Sequence, residues 1–293
     1  MSRWRLIGLF VLAALVAGWF ITRPAPLPSD ALNGLTGDPI TGQITFAAAG
    51  CASCHVSEDG PPDVLSGGKA FQSEFGTFIA PNISPDPIHG VGTWTDLELA
   101  SAIMRGVGRD GSHLYPAFPY TSYNKANRQD IVDLIAYLRT LPPSGRPNML
   151  HDLGFPFNLR VALGPWKLLF VNEDWVLSDP ATPALERGRY LTESLGHCGE
   201  CHTPRDALGG LDRSRWMAGA PHPSGEGRIP NITSAVLDWS EADIASYLKS
   251  GFTPEFDSAG GDMAAVIRNT SQLTDNDRAA IAAYLKAIPP VAN

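Results

Sequence analysis

The sequence contains the pattern Cys-x-x-Cys-His twice, and no other feature restricts the possible folds as strongly. The two copies use all four cysteines of the 293-residue chain. In such a segment, two thiols add to the vinyl groups of one haem and the histidine binds its iron. We therefore predict two covalently attached haem c groups. The residues that would hold them are Cys51, Cys54, His55, Cys198, Cys201 and His202.

Two other readings of the cysteines are a zinc site built from two half-sites and a pair of disulfides. The copies lie 147 residues apart, whereas the half-sites of zinc ribbons are usually much closer in sequence. Disulfides would leave the histidine that follows each pair unexplained. Both alternatives are therefore weaker than haem attachment.

Composition narrows the class of protein further. The chain is 44% hydrophobic and 18% charged, which is typical of a globular protein. Its net charge is −8, and this argues against a nucleic-acid partner, because phosphates require a basic surface. The acidic surface either attracts a basic redox partner or serves solubility alone.

The N-terminal segment 1–27 is predicted to be a membrane anchor or a signal. Arg3 and Arg5 precede an apolar run over residues 6–22, which is long enough to span a bilayer. Positive charge before the run places the N-terminus in the cytoplasm and the rest outside. We favour a retained single-pass helix in the cytoplasmic membrane over a cleaved signal peptide. Either way, the haem domains would face the periplasm.

The rest of the chain is an internal repeat. Each half has a helix leading to its haem motif, then a Pro-Asn-Ile segment, a Trp followed by a capped acidic helix start, and a final Ala-Tyr-Leu helix stopped by two prolines. Each half is about the size of one small helical domain. We predict domain 1 at residues 36–143, a bridge at 144–185 and domain 2 at 186–293.

The second axial ligand of each iron must come from beyond the haem motif. Met263 is the candidate in domain 2, in a predicted loop, because a thioether is the usual partner of the histidine. The equivalent position of domain 1 is Phe118, which cannot bind iron. The remaining options there are His113, a vacant or water-occupied position, or a poorly placed Met104 or Met149.

The bridge is rich in large apolar residues, unlike a flexible linker. Packing across both domains is one interpretation. The other is a surface that contacts a partner or the membrane.

Several segments together resemble a known family. They are residues 75–86, 110–120, 155–160 and 196–205, and they look like membrane-anchored cytochrome c subunits of periplasmic alcohol and gluconate dehydrogenases. The resemblance implies an all-α fold with two tandem class I cytochrome c-like domains after a transmembrane helix. It also implies that Asn82 and Asn231 lie near their haems and that Arg205 pairs with a haem propionate. Family members commonly carry Met where this chain has Phe118.

The expected function is electron transfer without substrate chemistry. A periplasmic dehydrogenase would be the donor, and an oxidase, a quinone or a soluble cytochrome would be the acceptor. The alternative is a haem enzyme, such as a peroxidase or small-molecule reductase, or a gas-binding protein, that uses an open first haem.

Overall fold

Helices form most of the architecture in a computed structural model that describes residues 3–225 and 227–292. The N-terminal helix and those of the first half are α1 (Arg3–Thr22), α2 (Pro39–Ala48), α3 (Cys51–His55), α4 (Asp96–Arg105), α5 (Tyr120–Tyr123) and α6 (Arg128–Leu138). The bridge and the second half contain α7 (Leu163–Phe170), α8 (Pro183–Tyr190), α9 (Gly199–His202), α10 (Glu241–Ser250), α11 (Gly261–Thr270) and α12 (Asp275–Ala287).

The first and last helices of each half cross at a glycine. A Cβ atom on Gly42 in α2 would lie 1.9 Å from the Asp133 carbonyl oxygen of α6. A Cβ atom on Gly188 in α8 would likewise lie 2.0 Å from the Ala280 carbonyl oxygen of α12. Only glycine permits such close approach of two backbones. The sequence repeat is therefore a structural repeat, built on the same helix crossing.

The acidic helix starts are capping boxes. Thr95 accepts a hydrogen bond from the backbone N–H of Glu98, whose carboxylate accepts one from the Thr95 N–H. Ser240 and Asp243 form the same reciprocal pair at the start of α10. Each box satisfies N–H groups that a helix start leaves unpaired, so these boundaries follow from local sequence.

Short strands accompany the helices. They are β1 (Ala70–Ser73), β2 (Gly76–Ile79), β3 (Asp152–Leu153), β4 (Ala220–Pro221) and β5 (Arg228–Ile229). β1, β2 and β3 form an antiparallel sheet in that order, and β4 pairs with β5. The chain is thus mostly helical rather than purely so, because the loop after the first haem motif folds back as a hairpin and pairs with the bridge.

The bridge is packed against both halves. The Lys167 ammonium donates to the carbonyl oxygens of Arg105 (2.8 Å) and Gly106 (2.7 Å) in the first half. The Trp166 indole donates to the Leu208 carbonyl oxygen of the second half, at 2.8 Å. These contacts favour the interpretation that the bridge packs across the two domains.

Candidate haem sites

Both haem motifs lie on short helices that follow the first long helix of each half. Cys51, Cys54 and His55 are on α3, which begins after Gly50 in the left-handed conformation (φ 67°). In the second half, Cys198 stands at the start of α9, which carries Cys201 and His202. No disulfide joins any of the four cysteines. Burial raises the pKa of Cys51 and of Cys198 to about 12, so these sulfurs lie in surroundings that suit uncharged thioethers.

The histidine of each motif is held in one orientation by a carbonyl group. His55 Nδ1 lies 2.9 Å from the Pro81 carbonyl oxygen, and His202 Nδ1 lies 2.8 Å from that of Pro230. A carbonyl accepts, so Nδ1 carries the proton in both neutral rings and Nε2 keeps its lone pair for a metal. Burial lowers the pKa of both histidines and so favours the neutral form.

These donor sets fit haem c. Each offers two thiols and a histidine whose Nε2 is free, at the spacing that covalent attachment requires. Within residues 3–225 and 227–292, no group of three or more His, Cys, Asp or Glu side chains is arranged to hold a metal ion by itself. The zinc alternative therefore gains no support, and neither does the disulfide alternative.

The residues that orient the histidines are two prolines whose role the sequence did not predict. Pro81 and Pro230 begin the two Pro-Asn-Ile segments, 26 and 28 residues after the histidines that they contact. The repetition of this tripeptide in both halves was the available signal. It could not identify the carbonyl group as the functional part, since every residue has one.

Asn82 and Asn231 each bind the stretch of chain that follows the last helix of their half. The Asn82 amide donates to the carbonyl oxygens of Ser144 (2.7 Å) and Arg146 (2.9 Å). The Asn231 amide donates to the Val291 carbonyl oxygen at 2.7 Å. The resemblance implies haem-adjacent roles for both asparagines. In the structure each directly follows the proline that holds the histidine, and its amide binds backbone.

Arg205 is paired with a carboxylate of the protein. Its guanidinium lies 2.6 Å from Glu200, the residue between the cysteines of the second motif, and also donates to the Gly209 carbonyl oxygen at 2.8 Å. The Thr121 hydroxyl of the first half donates to Glu200 at 2.5 Å. Burial opposes ionisation of Glu200, but Arg205 and Thr121 hold its pKa below the usual value. Arg205 thus forms an ion pair with a largely buried carboxylate of the protein.

Met263 lies in the first turn of α11 and not in the predicted loop. The helix begins two residues before Met263, at Gly261, which adopts a left-handed conformation (φ 54°). The Met263 side chain is partly buried and packs against the core. As a ligand, Met263 would act from a helix and not from a loop.

Phe118 is the structural counterpart of Met263. An isolated β-bridge joins Val107 to His113 in the first half, and another joins Phe252 to Ser258 in the second. Phe118 and Met263 each follow their bridge by five residues. The Phe118 ring packs on Tyr123 (5.8 Å between centroids), whose hydroxyl donates to the Ala49 carbonyl oxygen just before the first motif.

The structure places His113 against the N-terminal helix. The His113 ring is buried, and its Nε2 lies 2.9 Å from the Thr22 carbonyl oxygen at the end of α1. A residue that sequence alone could only place in a loop is therefore a contact of the N-terminal helix. Met104 is buried within α4, and Met149 is exposed.

Each haem motif lies where the two halves pack together. The Asn269 amide of α11 donates to the Ser53 hydroxyl of the first motif at 2.7 Å. His197, directly before the second motif, stacks edge-on against Tyr123 with 5.5 Å between ring centroids. Each motif thus borders the opposite half, and no pattern in the sequence predicts this arrangement.

Comparisons with known proteins agree with this geometry. The cytochrome c family model matches residues 40–142 and 185–289, which is one match in each half. A diheme cytochrome c-type protein of Cereibacter sphaeroides is 56% identical over 284 residues, covering 96% of each chain.

Relatives also include subunits of dehydrogenases. The fructose dehydrogenase cytochrome subunit of Gluconobacter japonicus is 38% identical over 256 residues, covering 85% of this chain and 52% of that protein. The cytochrome c subunit of the quinone alcohol dehydrogenase of Gluconacetobacter polyoxogenes is 35% identical over 257 residues, covering 82% and 54%. The chain thus spans about half the length of these subunits.

The predicted cofactors and the resemblance are both confirmed by these matches. Each family match contains one haem motif, and the relative from Cereibacter sphaeroides, which matches over nearly its whole length, is a diheme cytochrome. The haem-enzyme alternative is not favoured. The chain belongs to the cytochrome c family and is a diheme c-type cytochrome, homologous to the cytochrome subunits of dehydrogenases.

Proposed function

We propose that this protein receives single electrons from a dehydrogenase at the periplasmic face of the cytoplasmic membrane and passes them to a respiratory acceptor. Each bound haem supplies a reversible Fe(III)/Fe(II) couple. The observation that carries the proposal is that each haem motif borders the opposite half. Ser53 of the first motif is bound by Asn269 of α11, and His197, directly before the second motif, packs on Tyr123. Electrons that enter one half can reach the other without leaving the protein.

The protein's own residues hold the two sites in a fixed relation. The Tyr190 hydroxyl of α8 donates to the Asp130 carboxylate of α6 at 2.5 Å. The Thr121 hydroxyl reaches across to Glu200 inside the second motif. Both contacts join the halves, so the separation of the haem motifs is set by direct packing and not by the bridge alone.

We assign the iron ligands as His55 for the first haem, and as His202 and Met263 for the second. The neutral, oriented histidines support the first two assignments. The partial burial of Met263 at the start of α11 supports the third. In the first half Phe118 stands where Met263 stands in the second, and phenylalanine has no atom that could bind the iron of a haem held there.

The fold that goes with this function is the all-α class I arrangement, with domain 1 at residues 36–143 and domain 2 at 186–293. The repeated glycine crossing of the first and last helices supports it.

α1 would anchor the protein, since its 20 residues have a mean hydropathy of 2.0 over the best window and none is buried. By length and composition alone, such a helix can cross a bilayer.

The donor is tested by isolating the full chain from detergent-solubilised membranes and identifying the proteins bound to it. A co-purified dehydrogenase should reduce both haems when its own substrate is added. The proposal fails if both haems respond only to a chemical reductant and no dehydrogenase is bound.

The assignment of Met263 is tested with Met263→Leu, and Met217→Leu is the matched control in the same half. Met217 is fully buried, so the volume-conserving change there affects packing alone. Met263→Leu should shift the second haem to high spin and lower its reduction potential, because the thioether favours reduced iron. Equal spectra for the two variants would contradict the assignment.

A further inference from the structure

The bridge carries a short helical segment whose apolar side faces outward. A 3-10 turn at Arg160–Ala162 runs directly into α7 (Leu163–Phe170). The exposed residues of this segment recur with helical spacing, so they form one face. They are Val161, Ala162, Pro165, Leu168 and Leu169. Val161, Leu168 and Leu169 are 69%, 60% and 67% exposed.

The charged side chains of the same segment face the protein. The Arg160 guanidinium donates to the His113 carbonyl oxygen at 2.7 Å and lies over the Tyr115 ring. The Lys167 ammonium is bound by the carbonyl oxygens of Arg105 and Gly106 and lies over the Tyr120 ring. This is the reverse of an ordinary surface helix, which turns its charges to water.

The apolar face extends into the neighbouring segments. Phe157, in the bridge, packs on Phe75 of the first half with 4.8 Å between ring centroids and is still 44% exposed. Leu208 of the second half is 58% exposed, and its carbonyl oxygen accepts from the Trp166 indole of α7. Both halves and the bridge thus contribute to one exposed apolar surface. Contiguous patches of this kind mark interaction sites.

This surface lies beside the end of the N-terminal helix. A Cβ atom on Gly164 in α7 would lie 2.3 Å from the Thr22 carbonyl oxygen, so the two backbones are in direct contact. The same carbonyl is bound by His113 Nε2. The 20 residues of α1 are about 30 Å long, which matches the apolar thickness of a bilayer. Thr22 therefore marks the level at which the chain would leave the apolar layer.

We propose that the bridge helix lies in the interfacial layer of the membrane and inserts the face formed by Val161, Pro165, Leu168 and Leu169 among the lipids. This inference rests on the proposed anchoring by α1. With α1 across the bilayer and α7 along its surface, the haem domains have two membrane contacts and cannot swing freely about residues 23–26. The surfaces that the haem domains present to partner proteins are then held in a fixed orientation relative to the membrane.

A lipid surface fits this face better than a protein partner. The face contains no charged or hydrogen-bonding side chain, although recognition of a protein usually needs a polar rim. Its position beside Thr22 places it at headgroup depth, where an apolar helix face inserts by roughly 5–10 Å. Trp166, an indole of the kind found at membrane interfaces, is on the same helix.

The test uses the full chain reconstituted in vesicles of phosphatidylcholine and phosphatidylglycerol. Leu168→Cys and Leu169→Cys each introduce the single reactive thiol, because both haems consume the native cysteines. A nitroxide attached there reports its depth by collisions with oxygen, which concentrates in the bilayer, and with a nickel chelate, which stays in water. Phe256→Cys is the control, since Phe256 is 88% exposed in the second half, in the segment between α10 and α11.

Labels at 168 and 169 should collide mainly with oxygen, and the label at 256 mainly with the chelate. If all three labels collide mainly with the chelate but the protein stays in the vesicles after an alkaline wash, the interfacial contact is refuted and anchoring by α1 stands. If the wash releases the protein, both proposals fail. An aqueous label at 168 that becomes shielded only when a dehydrogenase is added would assign the face to a protein partner instead.

Discussion

The glycine crossing at the start of the first half makes a sharp prediction about stability. Gly42→Ala adds one methyl group to α2 at the point where α6 passes. The new Cβ atom would stand 1.9 Å from the Asp133 carbonyl oxygen and 2.9 Å from the Tyr137 Cβ atom. Ordinary contacts of this kind exceed 3.4 Å, so the two helices must separate by more than 1 Å at the crossing.

The effect of Gly42→Ala on the free energy of unfolding can be estimated from two opposing contributions. Alanine favours the helix over glycine by about 1 kcal/mol. Overpacking in a well-packed interior costs about 1–3 kcal/mol, and here the obstacle is backbone, which cannot rotate away. The separation would also loosen the stacking of Phe46 on Tyr137, whose centroids are 5.2 Å apart across the same pair of helices. We expect a net loss of about 2 kcal/mol in the free energy of unfolding.

The assay is guanidinium unfolding of the holoprotein, followed by far-ultraviolet circular dichroism and by the Soret band. Gly145→Ala is the control, because nothing lies within 4 Å of a Cβ atom there and the backbone is compatible with alanine. It should be neutral or slightly stabilising, by about 0.4–1 kcal/mol. If Gly42→Ala is as stable as Gly145→Ala to within about 0.5 kcal/mol, the argument from close helix approach is wrong.

Three further predictions concern Phe118, Glu200 and Lys125. Phe118→Met should supply a thioether to the first haem, convert it to low spin and abolish carbon monoxide binding; a wild-type protein that already binds none would contradict the open position. Glu200→Gln should raise the potential of the second haem in a redox titration, because a buried negative charge beside it stabilises Fe(III); an unchanged or lower potential refutes this. Lys125→Met should lessen the loss of stability as pH falls from about 10 to about 8, since burial lowers the pKa of Lys125 to about 8 and the unfolded chain takes up the proton first; an unchanged slope in denaturation at several pH values contradicts it.

Local patterns in the sequence predicted the chemistry of the sites. The spacing of Cys51, Cys54 and His55 is covalent geometry on one helical turn, so it required no knowledge of the fold. The helix starts at Thr95 and Ser240 were predictable for the same reason, because a capping box is closed within four residues. The internal repeat then indicated two similar halves.

Contacts between distant residues were beyond the reach of these patterns. The contact of His113 could not be foreseen, because its partner, Thr22, lies 91 residues away in the sequence. Glu200, the partner of Arg205, also accepts from Thr121 of the other half, which lies 79 residues away in the sequence. Such pairings depend on which surfaces are removed from water together, and this is set by packing.

The sequence alone determined that this protein carries two haems, one in each half, because haem attachment depends on residues adjacent in the chain. The tertiary structure alone decided that the first motif contacts the second half, through Ser53 and Asn269, 216 residues apart, and that the apolar side of the bridge helix faces outward beside α1. Both depend on how preformed helices dock, and docking is governed by shape and burial over the whole molecule rather than by any short stretch of residues.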